Sequence, residues 1–306
     1  MKYRLLCTIL SAMLLLCSCS NANKNTASTV SNDSVANETK VSDAIEPEKA
    51  TEAPVVEKKP EVTQPSTETS SLNNTEKSWY YVVKKNGEPS GEPGDILNLI
   101  NKYSGYYLGN TQQKELYLTF DEGYENGYTS KILDILKENN VKAAFFVTKP
   151  YITGNKELIA RMVNEGHLVC NHSNTHPSMP KVALKGEAAF DKEFTDTEKA
   201  FTEVTGKTMP KFFRPPMGNY SELSLYYTKA LGYKTIFWSF AYRDWEVDKQ
   251  PTESYAVSLL RERTHNGAIV LLHAVSKTNT SILDSMLKEW KGKGYEFKTL
   301  DTLPEK

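Results

Sequence analysis

The segment Leu116 to Asn126, which reads L-Y-L-T-F-D-E-G-Y-E-N, places two adjacent carboxylates and a glycine directly after a run of strand-forming residues. In a barrel of alternating strands and helices, catalytic groups gather at the carboxyl ends of the strands. Asp121 and Glu122 are therefore predicted to lie where chemistry takes place.

The chain around this segment alternates short apolar runs with longer amphipathic stretches, which is typical of a parallel α/β fold. Strands are predicted at 115–120, 142–148, 168–171, 212–214, 235–239, 268–273 and 296–299. Helices are predicted near 130–137, 156–164, 188–205, 221–231, 254–264 and 282–291. Because no eighth strand is visible, we expect an irregular (β/α) barrel. The Tyr-, Gly- and Pro-rich segment Trp79 to Gln113 is predicted to pack on it as an N-terminal extension.

Three histidines accompany these strands. His172 and His176 lie four residues apart in H-S-N-T-H, and His273 ends the apolar run 268–273. An extended chain would separate the first two by about 13 Å and a helical turn by about 6 Å, so we expect the segment to turn at Ser173 to Thr175. A carboxylate with two histidines is a plausible open site for a divalent metal ion, which leaves a second carboxylate and His273 for acid/base work.

Five ordered motifs carry a resemblance to a known family. They are Thr119 to Gly123 (T-F-D-E-G), His172 to His176 (H-S-N-T-H), Arg214 to Gly218 (R-P-P-M-G), Asp244-Trp245 and Leu271 to His273 (L-L-H). Together they resemble the motifs of the polysaccharide deacetylases, the NodB-like family-4 carbohydrate esterases. The stretches Asp121 to Thr129 and Tyr107 to Asn110 are similar to the subgroup that deacetylates muramic acid on the way to muramic δ-lactam in spore cortex. The resemblance covers about Ser78 to Leu303.

The resemblance implies a role for each carboxylate of the first motif. Asp121 is the general base, and Glu122 occupies the place of a metal ligand beside His172 and His176. The family has aspartate at that place, so Glu122 is a departure that displaces the carboxylate by about one bond length. An arrangement in which Glu122 faces away, and only the histidines and water hold an ion, stays open. The implied cofactor is a divalent ion, Zn²⁺ first, with Mn²⁺, Co²⁺ or Mg²⁺ as alternatives.

The other motifs imply the remaining parts of the site. His273 is the acid that protonates the leaving amine, Asp244 holds its ring, and Arg214 orients Asp121. The substrate-binding positions implied are Pro216, Gly218, Tyr220 and Trp245. Tyr220 and Trp245 are expected either to stack on sugar rings or simply to pack.

The first quarter of the chain has a different character. Residues 1–19 read as a lipoprotein signal peptide, with Lys2 and Arg4 before a short apolar run and Cys19 as the lipidated residue. Residues 20–77 are rich in Ser, Thr, Asn, Glu, Lys and Pro and predict a disordered tether. Residues 78–306 are predicted to form the deacetylase domain, with 78–114 as the extension and 115–306 as the catalytic barrel.

Charge and cysteine content bear on two further questions, nucleic-acid binding and disulfide formation. A net charge of -1 over 306 residues argues against a nucleic-acid partner. Three of the four cysteines precede residue 20, so Cys170 has no partner for an intramolecular disulfide after processing.

The function that we expect is metal-dependent N-deacetylation of N-acetylmuramic acid in a peptidoglycan glycan strand. The enzyme would be lipid-anchored to the outer face of the cell membrane, with the forespore intermembrane space of a spore-forming bacterium as its expected setting, and an accessory protein stays open as a further partner. The alternatives are an N-acetylglucosamine deacetylase of peptidoglycan or chitin-like oligomers, and a non-catalytic glycan-binding lipoprotein.

Overall fold

A computed structural model describes residues 69 to 305 of the chain. The predicted signal peptide with Cys19, and the tether up to residue 68, lie outside the described residues. In the described part no helix combines the length and the apolar character that crossing a membrane would require.

The described residues form a parallel sheet with helices around it. The strands are β1 (Lys77–Ser78), β2 (Gly105–Tyr106), β3 (Glu115–Glu122), β4 (Ala144–Val147), β5 (Leu168–Asn171), β6 (Phe212–Phe213), β7 (Asn219–Tyr220), β8 (Lys234–Ile236), β9 (Ala268–His273) and β10 (Glu296–Phe297). The helices are α1 (Leu97–Lys102), α2 (Thr129–Glu138), α3 (Lys149–Gly154), α4 (Lys156–Asn164), α5 (Met179–Ala183), α6 (Glu187–Thr205), α7 (Glu222–Ala230), α8 (Glu253–Arg263) and α9 (Lys277–Gly292).

Eight of these strands form one sheet in the order β10-β3-β4-β5-β6-β8-β2, with β9 paired to β3. Every pairing in it is parallel. The sheet curls into a half-barrel, and beyond β8 the chain returns to β9 through a parallel bridge from Phe240 to Val270. The predicted α/β barrel is confirmed. In addition, β1 and β7 pair antiparallel outside this sheet.

All seven predicted strands are present, and the eighth is β2. It lies inside the segment expected to form only a packed extension, and it pairs with β8 through Gly105 and Thr235. The extension therefore supplies part of the barrel itself. The tether also ends earlier than residue 78, because Asn73 accepts a hydrogen bond from the Leu223 backbone at 3.2 Å and Glu76 accepts one from Ser178 at 2.9 Å.

Strand β3 is buried on both faces, and its alternation positions the site. Leu116, Leu118 and Phe120 belong to the core between the sheet and its helices. Tyr117 belongs to the smaller core inside the barrel, with Phe146 and Ile269 among its members. Because successive side chains of a strand point to opposite faces, Asp121 follows Tyr117 toward the barrel interior, and Glu122 follows Phe120 toward the helices.

Candidate active site

Asp121 is held by a buried arginine. Its Oδ1 accepts a hydrogen bond of 2.8 Å from Arg214 Nη1, and the Arg214 side chain is fully buried. Arg214 is fixed in turn, because its Nε donates to the Ile236 carbonyl at 3.1 Å. Burial alone would raise the pKa of Asp121, but the charges of Arg214 and His172 outweigh that effect and lower the pKa below its usual value. Asp121 is therefore a carboxylate at neutral pH and suits the role of a base.

His273 forms the second charged pair. Its Nδ1 donates to Asp244 Oδ1 at 2.7 Å, and its backbone N–H donates to Asp244 Oδ2 at 2.8 Å. Asp244 is fully buried and also accepts from Asn279 Nδ2 at 2.5 Å. Burial would lower the pKa of His273, but Asp244 more than reverses this, so the pKa is raised. The tautomer fixed by Asp244 leaves Nε2 free.

The strand ladder sets the spacing of the two pairs. Asp121 and His273 are register partners on the neighbouring parallel strands β3 and β9. Side chains of residues directly opposite each other on adjacent strands lie on the same face of the sheet. The predicted base and the predicted acid are thus neighbours at the carboxyl end of the barrel.

His172 and His176 meet through a tight turn, as the sequence predicted. Ser173 and His176 both adopt positive φ values, 73° and 57°, and Ser173 Oγ accepts a hydrogen bond of 2.9 Å from the His176 backbone. The two ring centroids are 4.9 Å apart. His172 Nδ1 donates to the Arg214 carbonyl at 2.8 Å, so its Nε2 lone pair faces Asp121 Oδ2 at 3.5 Å. Burial lowers the pKa of His172 to about 4.

Glu122 is not brought together with these histidines. Its Oε1 accepts a hydrogen bond from the Thr129 hydroxyl of α2 at 3.4 Å, and its Oε2 is buried with no hydrogen-bond partner among residues 69–305. Its exposed fraction is 0 %, and burial together with the charge of Glu125 raises its pKa well above the usual value. The structure therefore has the alternative arrangement, in which the Glu122 side chain faces away from His172 and His176.

The donor set fits a metal ion only in part. The neutral imidazole of His172, with Nδ1–H on a carbonyl and Nε2 free, has the orientation that metal-binding histidines usually have. In residues 69–305, however, no three His, Cys, Asp or Glu side chains are grouped so as to hold an ion. The set Glu122, His172 and His176 is not assembled, since strand alternation turns Glu122 to the other face of the sheet.

A groove of about 1130 Å³ contains Asp121 and the three histidines of the site. One wall comes from the N-terminal extension, through Trp79, Tyr80, Tyr81 and Val83. The extension is joined to the barrel there, because the backbone N–H of Trp79 donates a hydrogen bond to the Gly218 carbonyl at 2.8 Å. The groove therefore requires both parts of the domain.

The predicted substrate-binding residues divide into two groups. Trp245 and Gly218 line the groove, and the Trp245 side chain is 47 % exposed with its ring 5.4 Å from that of His273. Pro216 is buried and does not line the groove. Tyr220 is 2 % exposed, packs edge-on against Phe237 and borders a separate cavity of about 320 Å³. Tyr220 is thus a packing residue rather than a stacking platform in this groove.

Several groove residues escaped the sequence reasoning. They are Tyr80, Tyr81, Tyr124, Arg243 and Arg263. The run Trp79 to Val83, W-Y-Y-V-V, is a signal that could have indicated a partly exposed surface, because adjacent aromatics without alternation fit neither a half-buried strand nor a helix face. The two arginines carry no local signal and come to the groove through tertiary packing alone.

Comparisons with known proteins agree with this geometry. A family model described as polysaccharide deacetylase matches residues 108–236. An uncharacterized protein of Geobacillus stearothermophilus is 43 % identical over 233 residues, which cover 76 % of this chain and 87 % of that protein. The peptidoglycan-N-acetylmuramic acid deacetylase PdaA of Bacillus subtilis is 41 % identical over 226 residues, covering 74 % of this chain and 85 % of that protein. The solved structure of that PdaA, described as a family 4 carbohydrate esterase, has a TM-score of 0.72 at 41 % identity and covers 75 % of this chain and 97 % of its own.

Proposed function

Because this chain belongs to the polysaccharide deacetylase family, we propose that it hydrolyses the N-acetyl group of N-acetylmuramic acid in peptidoglycan strands whose stem peptides have been removed. The observation that carries the reaction type is the pairing of Asp121 with His273 across β3 and β9, each held by its own buried partner. The observation that carries the sugar is the likeness to PdaA.

The chemistry follows from the two charged pairs. Ionised Asp121 takes a proton from water, whose oxygen forms a bond to the acetamide carbonyl carbon. His273, protonated at Nε2 and held by Asp244, gives its proton to the nitrogen as the C–N bond breaks. The products are acetate and a free amine on the sugar. Arg214 keeps Asp121 ionised and oriented throughout.

Members of this family are generally metal-dependent. For this chain we propose a divalent ion, Zn²⁺ first and Mn²⁺, Co²⁺ or Mg²⁺ as alternatives, with His172 and His176 as its protein ligands. Such an ion, when bound, would polarise the acetamide carbonyl. Glu122 could bind the ion only if its side chain moved to the opposite face of β3, so we leave Glu122 out of the proposed ligand set.

The cellular setting is also a proposal. Cleavage before Cys19, lipidation of that cysteine and a tether from residue 20 would hold the domain outside the cell membrane. Formation of muramic δ-lactam during sporulation, in the forespore intermembrane space, is the setting that the subgroup motifs favour. The catalytic residues act on an acetamide and do not by themselves select the sugar, so N-acetylglucosamine is the alternative substrate.

The test combines cells and purified protein. Muropeptides from cells with and without the protein are compared by mass spectrometry, and we expect muramic δ-lactam to disappear when the protein is absent. Loss of free glucosamine instead would move the activity to the other sugar, and an unchanged profile would favour a glycan-binding role. In vitro, Asp121→Asn should release acetate about 10²- to 10⁴-fold more slowly than the wild type. A near-normal rate in this variant would remove Asp121 from its role.

A further inference from the structure

The groove carries a positive charge that the residues around it do not balance. Within residues 69–305, Asp121 is the one carboxylate that lines the groove. Its negative charge is already balanced by Arg214. Two further arginines, Arg243 and Arg263, line the same groove. Arg243 is 71 % exposed and pairs with Glu246, whereas Arg263 has no ion pair within residues 69–305. Among the described residues, Arg263 is therefore the cation of the groove that has no ion-pair partner.

Arg263 is also fixed in place. Its Nη1 donates to the Tyr81 hydroxyl at 3.0 Å, and that hydroxyl donates to the Ala241 carbonyl at 2.7 Å. Its Nε is buried and has no hydrogen-bond partner in the part of the chain that the structure describes. A guanidinium presents its donors in a rigid planar fork that matches a carboxylate. Arg263 thus has the form of a preorganised anion subsite: Tyr81 takes one N–H of Nη1, and the second N–H of Nη1 and both of Nη2 have no hydrogen-bond partner within residues 69–305.

We propose that Arg263, positioned by Tyr81, binds the lactyl carboxylate of a muramyl residue in the glycan strand, and so selects strands without stem peptides. This inference rests on the proposed function. The lactyl group ends in a free carboxylate only where the peptide has been removed; where the peptide is attached, the same carbonyl is a neutral amide. N-acetylglucosamine has a hydroxyl at that position. A bidentate arginine distinguishes the charged group from both neutral ones.

The experiment compares two substrates on the full-length protein. One is a soluble peptide-free glycan strand, and the other is the same strand with its lactyl carboxylates converted to primary amides. Acetate release gives kcat and KM on each. We expect Arg263→Gln to raise KM on the carboxylate strand by about 10- to 100-fold, the value of a hydrogen bond to a charged group, and to leave KM on the amidated strand unchanged. Arg263→Lys, which keeps the charge without the fork, should fall between.

Two controls separate this role from a structural one. Arg261→Gln removes the same charge at a paired, 57 % exposed position outside the groove and should change neither KM by more than about 2-fold, as expected for a surface ion pair. Tyr81→Phe keeps the wall but frees the guanidinium, and should raise KM on the carboxylate strand alone. Equal KM changes on both strands with Arg263→Gln, or none on either, would overturn the inference while leaving the deacetylase function intact. A wild-type protein that releases no acetate from either strand would overturn both.

Discussion

The acidity of His273 depends on one residue, Asp244. Because Asp244 raises the pKa of His273, the imidazole stays protonated to a higher pH than an isolated histidine. The acid is lost as the pH rises through this raised pKa, so Asp244→Asn should move the alkaline fall of kcat to lower pH. The pH dependence of acetate release measures it. Asp248→Asn, the same charge change at an exposed position four residues on, should leave the profile in place. An unshifted profile in Asp244→Asn would contradict the pairing.

Glu122 allows a second test at the scale of one side chain. Since its carboxylate lies among Thr129, Tyr151 and Glu125 rather than beside the histidines, Glu122→Gln and Glu122→Ala should both bind a divalent ion as tightly as the wild type. His172→Ala should weaken binding by at least tenfold in the same titration at fixed pH. A comparable loss in Glu122→Ala alone would place Glu122 back among the ligands.

The two variants of Glu122 should differ in stability. Glu122→Gln preserves shape, whereas Glu122→Ala leaves a cavity beside α2, so only the alanine variant should be destabilised, by about 1–3 kcal/mol. Thermal unfolding therefore separates a structural effect of this residue from an effect on the metal.

At the scale of strands and helices, apolar runs were the main predictor, and several of the shortest elements were missed. Six of the seven predicted strands contain at least two adjacent apolar residues, and the seventh, 296–299, contains Phe297 alone. The eighth, Gly105–Tyr106, is two residues long and has one side chain, so it carries no periodic signal and forms because β8 offers a partner. Helices α1, α3 and α5, each of five or six residues, were missed for the same reason.

The candidate site shows the same limit. Asp121, Arg214, Asp244 and His273 were predicted from their motifs and lie together. The orientation of Glu122 followed from the alternation of β3, in which Leu118 and Phe120 already face the helices, but the motif pattern suggested the opposite face. Tyr220 was misplaced because the sequence does not reveal that β7 pairs with β1 and buries its ring. Packing between residues that are far apart in the sequence produces no pattern in the local sequence.

Gly218 joins the extension to the barrel and gives a prediction at this scale. It has a φ of 68°, and an added Cβ would lie 2.7 Å from the Trp238 ring and 3.2 Å from the Trp79 Cβ. Gly218→Ala should therefore destabilise the domain by about 1–3 kcal/mol, which lowers Tm by about 2–4 °C per kcal/mol. Gly123→Ala, where no atom of the described residues lies within 4 Å of the new Cβ, is the control and should leave Tm unchanged. Equal melting temperatures for the two variants would contradict the close approach.

At the scale of the whole molecule, we propose that the sequence before residue 69 holds the enzyme at the membrane. If Cys19 carries the lipid, Cys19→Ala should leave the protein poorly processed or released from the membrane, because a thioether-linked lipid is the durable anchor that the sequence predicts. Membrane fractionation and the size of the mature chain measure this. Full retention of a mature-size Cys19→Ala protein would contradict lipidation at that residue.

Two parts of the site, the β3–β9 ladder and the wall at Trp79 to Val83, differ in how their backbone amides become exposed to solvent. The β3 and β9 ladder is buried within the sheet, so its amides exchange hydrogen with solvent only when the domain unfolds. The wall at Trp79 to Val83 is held by isolated backbone links rather than a ladder, such as the reciprocal pair of hydrogen bonds between Val82 and Gly91 at 2.7 and 2.9 Å, and its amides exchange through local opening. A bound glycan should thus slow deuterium uptake at the wall and leave the ladder unchanged, which makes the extension the part of the enzyme that reports substrate binding.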